Sequence, residues 1–151
     1  MLIIVTNNGF IHTQVQALVE RGVQVSKEIQ ILAQGPFTVA RKYNSYGIRG
    51  FSFHTSSSDV GRPVQSSGVA IAAESSRGKQ IYYGIIREII ELDYRHRGNM
   101  VLFRCDWVDN RVPNKWVKTD QFGVTTVNFN HLFSSGHKLS DEPFIFASQA
   151  T

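Results

Sequence analysis

The residues that could carry chemistry are few, and they form no complete catalytic pattern. His131 and His137 lie six positions apart, without the further cysteine or histidine that a closed four-ligand zinc site needs. The sequence also lacks a glycine-rich phosphate loop and the nucleophile elbow of serine hydrolases. We therefore expect no enzymatic activity, no metal and no cofactor.

Three carboxylates cluster in the sequence, as they do in phosphoryl-transfer metal sites, but each has a simpler interpretation. Asp106 is expected to pair with Arg104 or to face water. Asp109 is expected to begin a turn, and Asp120 to lie in a loop.

A basic segment around a tryptophan is the best candidate for a binding surface. Sixteen Lys and Arg oppose twelve Asp and Glu, which gives a formal net charge of +4 with both signs mixed along the chain. Because this excess is small, nucleic acid is the alternative to the expected protein partner. No stretch of the sequence approaches the ~18 apolar residues needed to span a bilayer, so we expect no membrane. Trp116 is the aromatic side chain best placed to stack on a ligand. The candidate surface consists of Arg95, Arg97, Arg111, Lys115, Trp116 and Lys118.

The single cysteine fits a reducing compartment, so we expect the nucleus or the cytoplasm. Cys105 follows the apolar run 101–103, which predicts a buried and unreactive side chain. The acid-poor start is a feature of organelle transit peptides. Because Arg21 is the only lysine or arginine among the first 26 residues, mitochondrial targeting is the minor alternative.

Two helices are predicted in a helical N-terminal arm over residues 1–36. Apolar residues spaced by three and four predict a helix over 10–25, although Gly22 weakens its end. A second helix is predicted over 26–34, with Ser26 as N-cap and Gly35 followed by proline as the stop signal. Core packing is the expected role of their apolar stripes, and partner docking the less common alternative.

From residue 37 onwards the pattern is typical of strands, and we expect one antiparallel β domain over 37–151. The Ser- and Gly-rich segment 55–68 is predicted to be a mobile loop. Gly50 is interpreted as the site of a bulge. Residues 131–142 are predicted to be loop or short helix. Apart from the hairpin described next, strands are predicted over 38–43, 48–54, 69–73, 123–129 and 143–148.

The segment 81–94 is the strongest and the most ambiguous, because its isoleucines also fit one face of a helix. Its Ile and Tyr content, the helix-interrupting Gly84 and a second β-rich run over 100–108 favour a β-hairpin. In the second strand, Phe103, Cys105 and Trp107 are expected on the buried face. The predicted fold class is α+β, mainly β: a small antiparallel SH3-like barrel or curled sheet behind a helical arm.

Ordered blocks of the chain resemble the uncharacterised domain found beside plant CACTA-type (En/Spm) transposases. The resemblance covers about residues 26 to 150 and implies a plant source and a transposon origin, but no established activity and no catalytic residues. Arg49 stands where the family prefers Asn before Gly, and the family pattern continues past residue 150. The blocks are YGIRGFSFHT (46–55), SSGV (66–69), YYGIIREIIELDY (82–94), MVLFRCDWVD (100–109), FGVTTVNFN (122–130) and DEPFIFASQA (141–150).

We therefore expect a truncated copy of this domain, whose missing strand leaves a sheet edge open for self-association or strand addition. The predicted function is a non-enzymatic protein-interaction module derived from a plant transposon-encoded protein. By extension, we expect the protein to act as a domesticated or selfish, toxin-like factor that binds a host protein. The alternative is a nucleic-acid-binding accessory domain of a transposition system.

Overall fold

The computed structural model describes residues 9–37, 39–75, 78–94, 98–135, 141 and 143–151, apart from the side chains of residues 9–12 and Ser75. The helices are α1 (Gly9–Glu20) and α2 (Lys27–Gln34), and a turn of 3-10 helix covers Ala147–Gln149. The strands are β1 (Arg41–Tyr43), β2 (Ser45–Ile48), β3 (Phe51–His54), β4 (Gly68–Ser75), β5 (Gly78–Asp93), β6 (Asn99–Val108), β7 (Val117–Thr119), β8 (Thr125–Val127), β9 (Leu132–Ser134) and β10 (Phe144–Phe146).

The second helix begins and ends where its capping residues predict. The Ser26 hydroxyl accepts a hydrogen bond from the backbone N–H of Ile29 at 3.4 Å, which satisfies one free donor of the first turn. Gly35 ends α2 with φ of 74°, a left-handed conformation that glycine adopts without steric cost. Local sequence is sufficient to define this helix.

The first helix ends at Glu20, earlier than the predicted boundary at residue 25. Gly22 has φ of 78°, and its N–H donates to the carbonyl of Val19 at 2.9 Å. The next N–H, that of Val23, donates to the carbonyl of Leu18 at 3.0 Å. This pair of bonds is a Schellman motif, so the glycine that weakened the prediction is the helix stop.

The two long strands β5 and β6 lie at the centre of a six-stranded sheet of order β1-β5-β6-β10, in which β4 also pairs with β5 and β9 with β6. β4 runs antiparallel to the first half of β5, from Gly68 opposite Ile85 to Ser75 opposite Gly78. The segment 81–94 is therefore extended as far as Asp93, which confirms the predicted strand over the helical alternative. The fold is mainly β with antiparallel sheets, and the described strands form no closed barrel.

Two small hairpins complete the strand inventory of the described residues: β2 pairs with β3, and β7 with β8. Arg49 and Gly50 connect β2 to β3 with φ values of 52° and 82°. Two consecutive left-handed residues between paired strands form the tight turn of a two-residue hairpin. The interpretation of Gly50 as a bulge is therefore wrong, because Gly50 lies outside both strands.

By contact density the chain divides into two compact units, one containing the described residues of 1–42 and 90–101, the other those of 43–89 and 102–151. In the first unit, the backbone N–H of Phe37 donates to the carbonyl of Asp93 at 2.9 Å. Ile29 and Leu32 of α2 remain about half exposed there. The buried apolar residues of this unit are Ala33, Ala40, Ile90, Leu92 and Val101.

The core of the second unit is built on Phe103, which is fully buried. Its ring lies 5.2 Å from that of Phe53 and 6.3 Å from that of Tyr46, centroid to centroid. Cys105 and Trp107 are also buried, which confirms the predicted inner face of β6. Burial, with a smaller contribution from the Asp106 carboxylate, raises the pKa of the Cys105 thiol to about 12. Such a thiol is not a nucleophile at neutral pH.

Charged side chains on β5 and β6 form cross-strand pairs. Arg87 Nε donates to Asp106 Oδ2 at 2.6 Å, and Arg104 Nε donates to Glu88 Oε2 at 2.7 Å. The expected pairing of Asp106 with Arg104 is therefore wrong, and so is the alternative that Asp106 faces water, because it is buried. Arg104 and Asp106 each bond instead to an opposite charge on the neighbouring strand β5.

Neither of the described helices has the length and apolar character that crossing a bilayer requires.

Candidate functional site

The site begins with a close contact between a glycine and a tryptophan. Trp107 on β6 is 3% exposed, and its indole Nε1 donates to the carbonyl of Pro143 at 3.4 Å. Gly84 on β5 lies against this ring, and a Cβ at residue 84 would come within 2.8 Å of Trp107 Cε3. Any side chain larger than hydrogen would displace the indole.

A groove of about 320 Å³ is lined by Trp107 and by residues of four other strands. Phe133 on β9 and Phe144 on β10 are 42% and 49% exposed. The Tyr82 ring lies 6.2 Å from that of Phe133, and its hydroxyl donates to Gln80 Oε1 at 3.2 Å. We call this site the aromatic groove; its lining residues are Ile71, Ala73, Tyr82, Trp107, Phe133, Phe144 and Ile145.

The chemistry of the aromatic groove suits binding rather than bond-making. Its lining contains no carboxylate, histidine, lysine, arginine or cysteine side chain. The polar atoms of its lining side chains are the Tyr82 hydroxyl and the Trp107 indole N–H, and both already donate hydrogen bonds. Among the described residues, no group of three His, Cys, Asp or Glu side chains is arranged to hold a metal ion. The aromatic groove can therefore accept an apolar side chain and little else.

The residues of the predicted basic surface do not line the aromatic groove. Arg95 and Arg97 lie outside the described residues. Arg111 is held by Asp109, whose two carboxylate oxygens accept from its Nε at 2.8 Å and its Nη2 at 2.7 Å. These bonds lower the pKa of Asp109 to about 2 and raise that of Arg111. The Asp109 carboxylate also accepts from the backbone N–H of Arg111, which is the predicted turn.

Trp116, the aromatic residue of that surface, already has partners. Its ring stacks on His131 with centroids 3.4 Å apart and planes 13° from parallel. Lys115 Nζ lies over the same ring, 4.8 Å from its centroid. The carbonyl of Trp116 accepts from Asn128 N–H at 2.8 Å, so residue 116 is tied to the end of β8. Lys118, on β7, is exposed.

A second polar cluster is centred on Asp59, within the segment predicted to be a mobile loop. Asp59 is 2% exposed; its carboxylate accepts from Ser66 N–H at 2.7 Å and lies 3.0 Å from His54 Nδ1. Burial alone would raise the pKa of Asp59, but the hydrogen bonds from Ser66, Ser67 and His54 together lower it. The segment has neither helix nor strand before β4. Its two ends are connected by this carboxylate and by the backbone N–H of His54, which donates to the carbonyl of Ser66 at 3.0 Å.

Sequence reasoning found part of the aromatic groove and missed the rest. It places Trp107 on the inner face of β6, but it singles out neither Phe133 nor Phe144. The available signal was the run of Phe144, Ile145 and Phe146 without a charge, which is unusual for an exposed strand.

One family model matches the chain: Domain of unknown function (DUF4216), over residues 90–151. The match covers less than half of the chain and includes β6 to β10, from which three of the groove-lining strands come. No curated protein and no solved structure matches the chain.

Proposed function

We propose that this protein is a non-enzymatic protein-interaction module that binds an apolar side chain of a partner in the aromatic groove. The observation that carries the proposal is the pair of half-exposed rings, Phe133 and Phe144, beside the buried indole of Trp107. Aromatic residues of this kind supply most of the binding energy at the centres of protein interfaces.

The geometry indicates how strong such binding should be. Covering two half-exposed phenylalanine rings removes on the order of 100 to 200 Å² of apolar surface from water, worth about 3 to 5 kcal/mol before the cost of association. By themselves the two rings therefore account for no more than about millimolar affinity, and micromolar binding of a short segment requires further contacts beside the groove.

Selection from a displayed random-peptide library tests the proposal. We expect enriched peptides to share a bulky apolar residue and to bind the purified chain with micromolar Kd. Phe133→Ala should weaken that binding roughly tenfold or more, because it removes one wall of the groove. Phe122→Ala is the matched control, since Phe122 is 81% exposed but does not line the groove. A library that yields no binder, or binders indifferent to Phe133→Ala, would rule the groove out.

The alternative, a nucleic-acid-binding accessory domain, is supported by the net charge of +4 and by exposed Lys118. Two contacts weigh against it: Asp109 neutralises Arg111, and His131 occupies the Trp116 ring on which a base would stack. Oligonucleotide binding that is tight at low salt and falls steeply with added salt would favour this alternative.

We propose further that the chain derives from a plant transposon-encoded protein and acts on a host protein in the nucleus or cytoplasm, as a domesticated or selfish factor. The support is the ordered resemblance of its sequence blocks, three of which lie within the matched residues 90–151. The SH3-like arrangement of the strands belongs to the same proposal. It is supported by the antiparallel, mainly β topology.

A further inference from the structure

The outer edge of β10 is a strand edge of unusual character. Of the described strands, only β6 pairs with β10, so the opposite side of β10 has no strand partner among the described residues. The strand consists of Phe144, Ile145 and Phe146, without a charge, a proline or a glycine. Phe144 and Phe146 are each about half exposed, whereas Ile145 is buried. Natural proteins usually protect such edges with charged side chains, because bare apolar edges recruit further strands.

The hydrogen bonds of β10 show which backbone groups point outward. Ile145 lies opposite Phe103, and the carbonyl of Pro143 accepts from Cys105 N–H at 2.9 Å. Since backbone groups alternate in direction along an antiparallel strand, those of Phe144 and Phe146 face away from β6. The N–H of Phe146 is bound by Gln149 Oε1 at 2.9 Å. Within the part of the chain that the structure describes, no other group bonds the N–H or C=O of Phe144, so this outward pair can receive another strand.

We propose that a second copy of this chain adds to this edge, with the two β10 strands antiparallel and the two Phe144 residues directly opposite each other. In this register Phe144 of each copy donates its N–H to the carbonyl of the other. The bond between Phe146 N–H and Gln149 is kept. The inference deepens the proposed interaction role by naming one partner. Phe144 also lines the aromatic groove, but the strand pairing rests on the outward backbone groups of this residue and not on the groove.

Three features favour a second copy over an unrelated strand. An antiparallel pair centred on one residue is related by a two-fold axis, the commonest symmetry of protein dimers. The pairing places no like charges opposite each other, because β10 has none. It also brings the half-exposed Phe144 rings of the two copies together, and each covers apolar surface of the other.

Cysteine crosslinking of the full chain tests both the edge and the register. The sole native cysteine, Cys105, is buried with its thiol pKa raised, so an introduced surface cysteine gives an unambiguous signal. In the proposed pair the two residues at position 144 have Cα atoms ~5.5 Å apart, within the range that a disulfide spans. On a denaturing gel, Phe144→Cys should therefore show a covalent dimer that forms rapidly under mild oxidation and is absent under reduction.

Phe146→Cys is the matched control on the same strand. In this register the two residues at position 146 are offset by four positions, ~13 Å, which no disulfide can span. Crosslinking of Phe146→Cys as fast as Phe144→Cys would overturn the register. Failure of Phe144→Cys to crosslink would overturn the edge.

Sedimentation of the unsubstituted chain at micromolar concentrations tests directly whether the dimer forms. We expect a dimer that dissociates on dilution and that Phe144→Lys weakens roughly tenfold or more by placing two like charges together. Phe122→Lys, which adds the same charge at an exposed phenylalanine elsewhere, should leave the dimer unchanged. A chain that stays monomeric contradicts the inference. Peptide binding sensitive to Phe133→Ala would still stand, so the two proposals fail separately.

Discussion

At the scale of single residues, Arg49 is the clearest mismatch between a side chain and its backbone. It has φ of 52° at the first position of the turn between β2 and β3. The left-handed region is unfavourable for residues with a Cβ, and Asn tolerates it better because its short side chain bonds the local backbone. Arg49 is exposed, so no packing compensates for the strain. The structure thus gives a physical reason for the Asn-Gly preference that the resemblance implies here.

We expect Arg49→Asn to stabilise the protein by about 0.5–1 kcal/mol, because Asn-Gly is the preferred pair in a two-residue hairpin turn. Urea-induced unfolding measures the change as a higher midpoint with an unchanged slope. Arg49→Lys serves as the control, since lysine has the same conformational penalty and should leave the midpoint where it is. A lower midpoint for the asparagine variant would show that the arginine side chain itself contributes to stability.

The sequence indicates only part of the role of Gly84. In the sequence, Gly84 counts as a helix breaker, and that argument led to the correct assignment of a strand. Its role in the structure is different: the absence of a Cβ leaves room for the Trp107 indole. The two residues are far apart along the chain and meet only through strand pairing, so sequence reasoning identified the strand but not the contact.

At the scale of elements, the segment between β6 and β9 is held by its own local contacts. Trp116 precedes β7, and His131, on which it stacks, follows β8. The backbone N–H of Asp109 donates to the carbonyl of His131 at 2.9 Å, which ties the start of the segment to its end. The β7–β8 hairpin is therefore closed at its base by an aromatic stack, and its tip carries the exposed Phe122.

We expect Trp116→Ala to destabilise the protein by about 0.5–1.5 kcal/mol through loss of the stack, with a further loss from the apolar area it covers. Chemical denaturation measures the loss, and Phe122→Ala at the tip of the same hairpin should cost little. If Trp116→Ala instead abolished binding to a ligand and left the midpoint unchanged, the indole would be a recognition surface rather than a structural one.

Elements with local signals were predictable, and elements that depend on distant partners were not. Ser26 and Gly35 define α2 by bonds within a few residues of the chain. In contrast, β9 was predicted as loop or short helix, because its three residues are strand only through pairing with β6. The aromatic groove was hidden for the same reason. Phe133 and Tyr82 come from strands that are distant in sequence, and no local pattern indicates that they meet.

At the scale of the whole molecule, the ionisation of Asp59, which holds the segment 54–67, makes the stability of the folded protein depend on pH. Its carboxylate is buried and accepts from Ser66 N–H and His54 while ionised. Because these bonds lower its pKa below the ordinary value of 3.8, the folded state binds its proton more weakly than the unfolded state does. The stabilisation from Asp59 is complete above that ordinary value and is lost as pH falls through the lower, folded value.

We therefore expect Asp59→Asn to lower the urea midpoint at pH 6, where the wild-type carboxylate is fully ionised and bonded. As the pH falls through the lowered pKa of the folded state, which lies below 3.8, the wild-type carboxyl becomes protonated, and the midpoints of the two proteins should converge. Asp109→Asn is the control for acidic residues in general, because Asp109 is also ionised through this range, with a pKa of about 2, but pairs with an exposed arginine. Because solvent weakens the pair with exposed Arg111, Asp109→Asn should lower the midpoint at pH 6 by less than Asp59→Asn does, and that smaller difference should persist until the pH approaches 2. A difference between Asp59→Asn and wild type that persists unchanged in acid would mean that the shape of the side chain, and not its charge, holds the segment.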